Sequence, residues 1–270
     1  MSNPALGAIA GKEMQKSIVI TGSSSGIGLV SANDLLRRGY HVIAACRKPQ
    51  DVERMNQLGF SGVLLDLDDA ASVERAAAQI LTLCGGDLYG LFNNGGFGLY
   101  GPLQSISRQQ LEQQFATNLF GTHQLTTLLL PALINGGSGR IINTSSVMGL
   151  ISTPKRGAYA ASKYALEAWS DALRMELHGS GVRVSLIEPG PIHTRFTDNV
   201  HQSQQDQPVK NPGIAARFTL PPEAILPKLR HALESRHPRL RYPVTLVAHA
   251  LSALRRLLPG WMMDRLLRQN

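Results

Sequence analysis

Cysteine is scarce in this sequence, and so are long apolar runs. Cys46 and Cys84 are its two cysteines, so we expect neither a disulfide framework nor a metal site, and a reducing cytoplasm suits the chain. Residues 1–16 lack the basic start and apolar core of a signal peptide, and we expect a mobile extension there. The uncharged stretch 243–254 is far shorter than the ~20 residues that span a bilayer. The length of 270 residues suits one α/β domain with a large core.

Aromatic residues are also few, at 6%, and this matters because the net charge of +8 would suit a nucleic-acid-binding protein. The charge is concentrated in one segment. From Lys228 onward there are nine basic and two acidic residues, which leaves the rest of the chain near neutrality. No basic strip with interleaved aromatics appears there. We therefore expect no nucleic-acid partner.

What the chain does contain is Tyr159-Ala-Ala-Ser-Lys163, which places a phenol and an ammonium one helical turn apart. A phenol titrates near ~10, outside the range where proton transfer is efficient at neutral pH. A nearby cation favours the phenolate and lowers that pKa. The pair predicts general acid–base chemistry, although alone it is also compatible with an ordinary surface helix.

The segment Thr21-Gly-Ser-Ser-Ser-Gly-Ile-Gly28 follows the apolar run 17–20 and precedes residues with helical apolar spacing. A strand, a glycine turn and a helix in this order are typical of a dinucleotide-binding site. Gly22 permits the tight turn, Gly26 admits a pyrophosphate and Gly28 allows close helix–strand packing. The amino end of the following helix offers free N–H groups to the phosphates.

Apolar runs alternate with helical segments along the chain, which predicts an α/β fold. We expect a Rossmann-type, doubly wound parallel sheet of about seven strands in one domain, residues 17–242. The expected strands are residues 17–21, 41–45, 62–66, 88–92, 140–144, 182–188 and 239–242. Residues 193–222, rich in Gln, Asn and Pro, are expected to form a substrate loop.

The order of these motifs resembles that of the short-chain dehydrogenase/reductase family. Asn93-Asn-Gly-Gly96 is similar to that family's Asn-Asn-Ala-Gly signature, with Gly95 where the family usually has Ala. The resemblance runs from about Lys16 to Thr197 and implies four catalytic residues: Asn118, Ser146, Tyr159 and Lys163. The contacts it implies for the cofactor are Gly22, Ser24, Ser25, Gly26, Ile27, Gly28, Arg47, Lys48, Asp66, Leu67, Asn93, Gly95, Asn118, Tyr159, Lys163, Pro189, Gly190, Ile192 and Thr194.

The resemblance implies that Tyr159 passes its proton to a carbonyl oxygen while Ser146 hydrogen-bonds that oxygen. It implies that Lys163 lowers the Tyr159 pKa and binds the nicotinamide ribose, and that Asn118 holds a water. The cofactor preference follows from the second strand, which ends in Cys46-Arg47-Lys48 without the acid that NAD-binding folds use. Arg47 and Lys48 suit a 2′-phosphate, so NADP(H) is expected.

Residues near these motifs predict a largely apolar substrate pocket. They are Phe97, Tyr100, Val147, Met148, Leu150, Phe196 and Phe218, together with Ser146 and Tyr159. The chain also resembles enterobacterial members of the family that reduce aldehydes with NADPH, so we expect an aldehyde or ketone with an apolar body. Two alternatives are also reductases: one acts on 3-oxoacyl groups bound to a carrier protein, and the other acts on hydroxysteroid- or retinoid-type substrates. A third alternative is a sensor that binds NADP(H) without catalysis.

The basic C-terminal segment, residues 243–270, has an amphipathic helical pattern in 243–258. It suits a helix docked on the domain or on another subunit, and it also suits a helix lying at a membrane surface beside Trp261. Family members commonly associate through the helices that hold Asn118 and Tyr159, so the resemblance implies a homo-oligomer.

Overall fold

The computed structural model describes residues 15–194 and 219–268, and it contains one parallel sheet of seven strands in the order β3-β2-β1-β4-β5-β6-β7. The strands are β1 (Ser17–Thr21), β2 (His41–Cys46), β3 (Ser61–Leu64), β4 (Gly90–Asn93), β5 (Arg140–Thr144), β6 (Arg183–Glu188) and β7 (Arg241–Pro243). The prediction of a doubly wound α/β sheet is confirmed. β3, β4 and β7 are displaced by one or two residues from the runs expected in the sequence. At β3 and β4 the reason is that the apolar run continues into buried residues beside the strand, Leu65 and Leu88.

Helices cover both faces of the sheet. They are α1 (Gly26–Arg37), α2 (Pro49–Gln57), α3 (Ala70–Leu83), α4 (Arg108–Phe115), α5 (Gly121–Asn135), α6 (Gly157–Glu176), α7 (Leu226–Glu234), α8 (Leu246–Leu257) and α9 (Gly260–Leu267). Short 3-10 turns occur at Leu103–Ser105, Val147–Gly149 and Pro222–Ile225, and a π-helical turn, Ala116–Phe120, joins α4 to α5.

The core lies in two layers because successive strand residues point to opposite faces. In β1, Val19 packs in one layer, whereas Ile18 and Ile20 pack in the other. The Val19 layer is filled by α3 and α5, and the opposite layer by α1 and α7. β1, β2, β4, β5 and most of β6 are buried, which explains why these strands appear in the sequence as continuous apolar runs.

The strand order reverses between β1 and β4, since β2 lies on one side of β1 and β4 on the other. In an open α/β sheet the ligand site lies at this reversal, outside the carboxyl ends of the strands. The glycine turn follows β1, the Asn93–Gly96 segment follows β4, and Ser146 follows β5. The topology therefore brings the three motifs to one edge.

The C-terminal helices α8 and α9 pack on the domain close to this edge. Ala248, Met263 and Leu267 share an apolar cluster with Met148 and Tyr159. The inner face of this segment is therefore docked on the domain, as one of the two interpretations of its sequence expects. In the described part of the chain, every helix is too short or too polar to cross a membrane.

Candidate active site

The turn between β1 and α1 forms a cradle lined by glycine backbone. Gly22 and Gly26 have positive φ angles of 67° and 53°, which glycine adopts without strain. A Cβ on Gly28 would lie 2.1 Å from the carbonyl oxygen of Gly22, so a side chain there would displace the turn. Ser25 is the N-cap of α1, but its side chain makes no capping hydrogen bond. The first amides of α1 are thus left for an anion, and the cradle fits a pyrophosphate.

Asn94 and Thr21 hold this turn against the loop after β4. The Asn94 side chain donates a hydrogen bond to the Thr21 carbonyl oxygen at 3.1 Å. The Thr21 hydroxyl in turn accepts from the amides of Asn94 and Gly95, at 2.9 and 2.8 Å. A Cβ on Gly95 would lie 3.0 Å from the Leu67 side chain and 3.2 Å from the Thr21 hydroxyl, so an alanine here would need these two side chains to shift slightly. Asn94 and Thr21 are not among the cofactor contacts that the family resemblance implies.

Two of the expected cofactor contacts have side chains directed into the protein. Asn93 is buried and donates hydrogen bonds to Thr126 at 3.0 Å and to Asn143 at 2.9 Å. Leu67 packs in the core layer of α3 and α5. The side chains of Asn93 and Leu67 therefore support the loops from below. The two residues present only their backbone groups to the cradle.

The end of β2 carries positive charge on its exposed side. Arg47 and Lys48 follow the buried Cys46, and both are exposed. Burial raises the pKa of the Cys46 thiol to about 11, so this cysteine remains protonated. Arg54 of α2 reaches the same region and donates to the Ser24 carbonyl oxygen at 2.6 Å. Arg54 was not expected, because only the fold brings α2 beside the glycine turn.

Asp66, Ile192 and Thr194 lie around the cradle at the ends of other strands. The Asp66 carboxylate accepts from the Asp68 amide at 3.1 Å, which is a capping turn after β3. A Cβ on Gly26 would lie 3.2 Å from Thr194, so Thr194 lies directly against the glycine turn. Ile192 is bridged to Leu220 as an isolated β-pair. The structure thus groups these expected contacts at one edge of the sheet.

Tyr159 and Lys163 lie one turn apart on α6, and Ser146 reaches the same phenol from the loop after β5. Ser146 hydrogen-bonds the Tyr159 hydroxyl. The Lys163 Nζ lies 5.8 Å from the centre of the Tyr159 ring and donates to the Thr144 carbonyl oxygen at 2.7 Å. The three side chains are buried. The structure thus brings these three predicted site residues together.

The pKa shifts at this pair follow from burial. Burial raises the pKa of Tyr159, Tyr100 adds to the rise, and the hydrogen bond with Ser146 opposes it. Burial lowers the pKa of Lys163 to about 8, and Glu167 partly opposes that shift. The pKa of Tyr159 is thus raised, whereas the charge of Lys163 alone was expected to lower it. The reason is that desolvation of the phenolate is the largest effect.

Asn118 lies in the π-helical turn between α4 and α5, a type of turn that is frequent at functional sites. Its side chain is almost fully buried and is held by the Phe97 amide and carbonyl, each at 3.0 Å, and by the Ser162 hydroxyl at 3.0 Å. A Cβ on Gly96 would lie 3.0 Å from Asn118 and 3.9 Å from the Lys163 Nζ. Asn118 therefore fixes the loop that passes over the lysine.

Pro189 and Gly190 connect the end of β6 to this centre. The Pro189 carbonyl oxygen accepts from the Val147 amide at 2.9 Å, which anchors the turn after Ser146. A Cβ on Gly190 would lie 2.1 Å from the Thr245 hydroxyl, so only glycine allows the start of α8 to approach so closely.

An apolar wall faces the phenol. Val147, Met148 and Tyr159 form one cluster with residues of α8 and α9, and Tyr100 packs against it. The Tyr100 and Tyr159 rings are 5.7 Å apart. Phe97 and Leu150 are partly buried next to the motifs. Phe196 and Phe218, the other expected pocket residues, lie outside the described residues, as does most of the expected substrate loop.

Dinucleotide-dependent oxidoreductases are the class of protein in which a doubly wound sheet carries a glycine cradle beside an acid–base pair. The family model described as short chain dehydrogenase matches residues 16–205. The chain belongs to this family of oxidoreductases.

Individual relatives agree with this assignment. The chain is 66% identical over 267 residues to the "Uncharacterized oxidoreductase YbbO" of Escherichia coli K12, covering 99% of each chain. It is 33% identical to the "NADPH-dependent 3-dehydrocapnine reductase" of Ornithobacterium rhinotracheale, covering 92% of this chain and 94% of the other. A short chain dehydrogenase from Burkholderia cenocepacia solved in complex with NADP is similar, with a TM-score of 0.78 and 25% identity over 94% of this chain and 98% of that one.

Proposed function

We propose that this oxidoreductase uses NADP(H) to reduce an aldehyde or ketone with an apolar body to the alcohol. The observation that carries the proposal is the meeting of Ser146, Tyr159 and Lys163 beside the glycine cradle and opposite an apolar wall. A bound NADPH would supply the hydride. The chain itself must orient the carbonyl and provide one proton.

Tyr159 is the proton donor in this proposal. Reduction needs the protonated phenol at the start of the reaction, and burial favours that form by raising the pKa of Tyr159. Oxidation of an alcohol would need the phenolate, which the surroundings disfavour. The raised pKa therefore keeps the phenol protonated when the carbonyl compound binds, which is the state from which reduction starts.

Ser146 stabilises the charge that develops on the carbonyl oxygen. Its hydroxyl oxygen accepts a hydrogen bond from the Met148 amide at 3.1 Å, which fixes the side-chain rotamer. The hydroxyl proton remains available to a neighbouring oxygen, and the Tyr159 hydroxyl is within its reach. A donor held in place beforehand stabilises an oxyanion without reorganisation.

Lys163 and Asn118 maintain this geometry. Lys163 is anchored by the Thr144 carbonyl oxygen and faces the Tyr159 ring, so its charge supports the phenolate as the proton leaves. Asn118 holds the Phe97 backbone from both sides, which closes the loop over the lysine.

NADP(H) is preferred over NAD(H) in this proposal because of the end of β2. Arg47 and Lys48 are exposed beyond the strand, where an NAD-binding protein has an acid. A 2′-phosphate would gain charge-assisted hydrogen bonds from these groups. The NADP complex of the Burkholderia relative and the name of the Ornithobacterium relative support the same choice.

The substrate class follows from the apolar wall, and the test is a panel of carbonyl compounds. NADPH oxidation would be followed at 340 nm with aldehydes and ketones of increasing apolar length, and with 3-oxoacyl groups on a carrier protein. We expect kcat/KM to rise with apolar length, by up to about tenfold for two buried CH2 groups. Preference for the carrier-bound substrate would favour the acyl-carrier alternative. Tight NADPH binding without turnover would favour the sensor.

A further inference from the structure

Helices α8 and α9 have two apolar faces, and within the described residues one of these faces packs on the domain while the other is exposed. The inner face carries Ala248, Met263 and Leu267, which are buried against the active-site cluster. Burial of one apolar face is what an amphipathic helix requires. The same helices carry a second set of large apolar side chains, and packing on the domain does not require them.

The outer face exposes that second set. Leu257 is 78% exposed, Trp261 is 67% exposed and Met262 is 38% exposed. These residues end α8 and begin α9, so they form one patch at the corner between the two helices. A tryptophan grouped with aliphatic side chains in water is unfavourable, whereas an indole ring at the level of lipid headgroups is stable.

Exposed positive charge surrounds this patch. Arg255, Arg265 and Arg268 are exposed, and Asp264 is the acid among them. Within residues 15–194 and 219–268 no salt bridge involves these three arginines. Basic side chains flanking an apolar patch complement the negative potential of an anionic bilayer.

We infer that the outer corner of α8 and α9 docks on the surface of an anionic lipid bilayer, with Leu257, Trp261 and Met262 inserted at headgroup level and the arginines facing lipid phosphates. The inner face of the same helices forms part of the wall around Tyr159, so the docked corner lies beside the proposed substrate pocket. An apolar substrate would then pass from the bilayer into the site. This consequence rests on the proposed function, whereas membrane docking does not.

The chain contains its own probe of docking, since Trp169 and Trp261 are its two tryptophans. In Trp169→Phe, the emission reports Trp261 alone. We expect a blue shift when vesicles of phosphatidylglycerol and phosphatidylcholine are added, and quenching by lipids brominated on the acyl chain. An unchanged spectrum would overturn the inference. A blue shift that grows with protein concentration in the absence of lipid would also overturn it, since it would indicate contact with a second copy.

Vesicle sedimentation tests the role of charge. Arg255→Gln with Arg265→Gln should weaken binding to anionic vesicles about 30-fold, since each basic residue at such a surface contributes about a factor of five. The matched control is Arg37→Gln with Arg183→Gln, two exposed arginines at the end of α1 and at the start of β6, on the edge of the sheet where the strands begin. The control should bind as wild type does. Equal losses in both variants, or equal binding of wild type to neutral vesicles, would contradict the inference.

A second pair of variants tests the apolar contact. Leu257→Ala with Trp261→Ala should abolish sedimentation with vesicles while leaving turnover of a short, water-soluble aldehyde unchanged. Leu58→Ala with Met175→Ala removes two exposed apolar side chains far from the tail and should have no effect. Retained binding in the first pair would overturn the inference. If wild type turned over none of the carbonyl compounds, the proposed function would be refuted, but the inference of membrane docking would still stand.

Discussion

Glu188 ends β6 directly before the Pro189-Gly190 turn, and its carboxyl group is almost fully buried. Arg241 of β7 lies 3.3 Å from it, while Glu167 and Asp171 of α6 also bind this arginine. Arg256 of α8 also lowers the pKa of Glu188, whereas the charges of Glu167 and Asp171 raise it. The Arg241 guanidinium therefore forms ion pairs with three carboxyl groups, and Glu188 is the most buried of the three.

Burial raises the pKa of Glu188 from 4.5 to about 7, and the charge of Glu167 adds to the rise. The native state thus holds this proton more tightly than the unfolded chain. The stabilising contribution is complete below pH 4.5 and is lost as pH rises through about 7. At about 1.4 kcal/mol for each tenfold change, the loss is about 3 kcal/mol.

Glu188→Gln retains the shape of the protonated group and removes its titration. We expect the stability of this variant relative to wild type to increase by about 3 kcal/mol between pH 4.5 and pH 8. Urea unfolding of both proteins at several pH values measures the difference. Glu176→Gln, an exposed position on α6, is the control and should show no such trend. A constant difference between Glu188→Gln and wild type across this range would refute the reasoning.

Two predictions concern the active site. Arg47→Asp should replace attraction to a 2′-phosphate by repulsion, so the ratio of kcat/KM for NADPH over NADH should fall at least about 100-fold, roughly 3 kcal/mol; an unchanged ratio would assign selection to another residue. Burial lowers the pKa of Lys163 to about 8, and reduction needs the ammonium. We therefore expect kcat/KM for carbonyl reduction to fall as pH rises through about 8, and a profile that stays flat up to pH 9.5 would contradict this.

The parts of the site that the sequence predicts are those encoded by short-range spacing. Gly22, Gly26 and Gly28 lie within one turn, and Tyr159 and Lys163 lie on one helix, so strand or helix geometry alone brings each set together. The alternation of buried strands and helices likewise predicts the order of layers. The family resemblance supplies the pairing of distant motifs, such as Asn118 with the Tyr159 helix.

The parts that the sequence does not predict depend on contacts between distant elements. Asn94, in the loop after β4, and Arg54 of α2 both reach the glycine turn. The Asn93–Gly96 signature marks the loop of Asn94 but not its hydrogen bond to Thr21, and no local pattern marks Arg54. The direction of the Tyr159 pKa shift depends on burial by α8 and α9, whose place on the site has no signature in the residues near Tyr159. The amphipathic pattern of the tail identifies a helix but does not say what its inner face covers.

The central claim is that Tyr159 donates the proton to a carbonyl group, and Tyr159→Phe tests it most directly because this change removes only the hydroxyl. NADPH oxidation with an apolar aldehyde would be compared in wild type and variant, together with NADPH binding by fluorescence. We predict that kcat falls by about 10²–10⁴-fold while NADPH binding stays nearly unchanged. Retention of more than about a tenth of the wild-type kcat would contradict the role of Tyr159 as the acid.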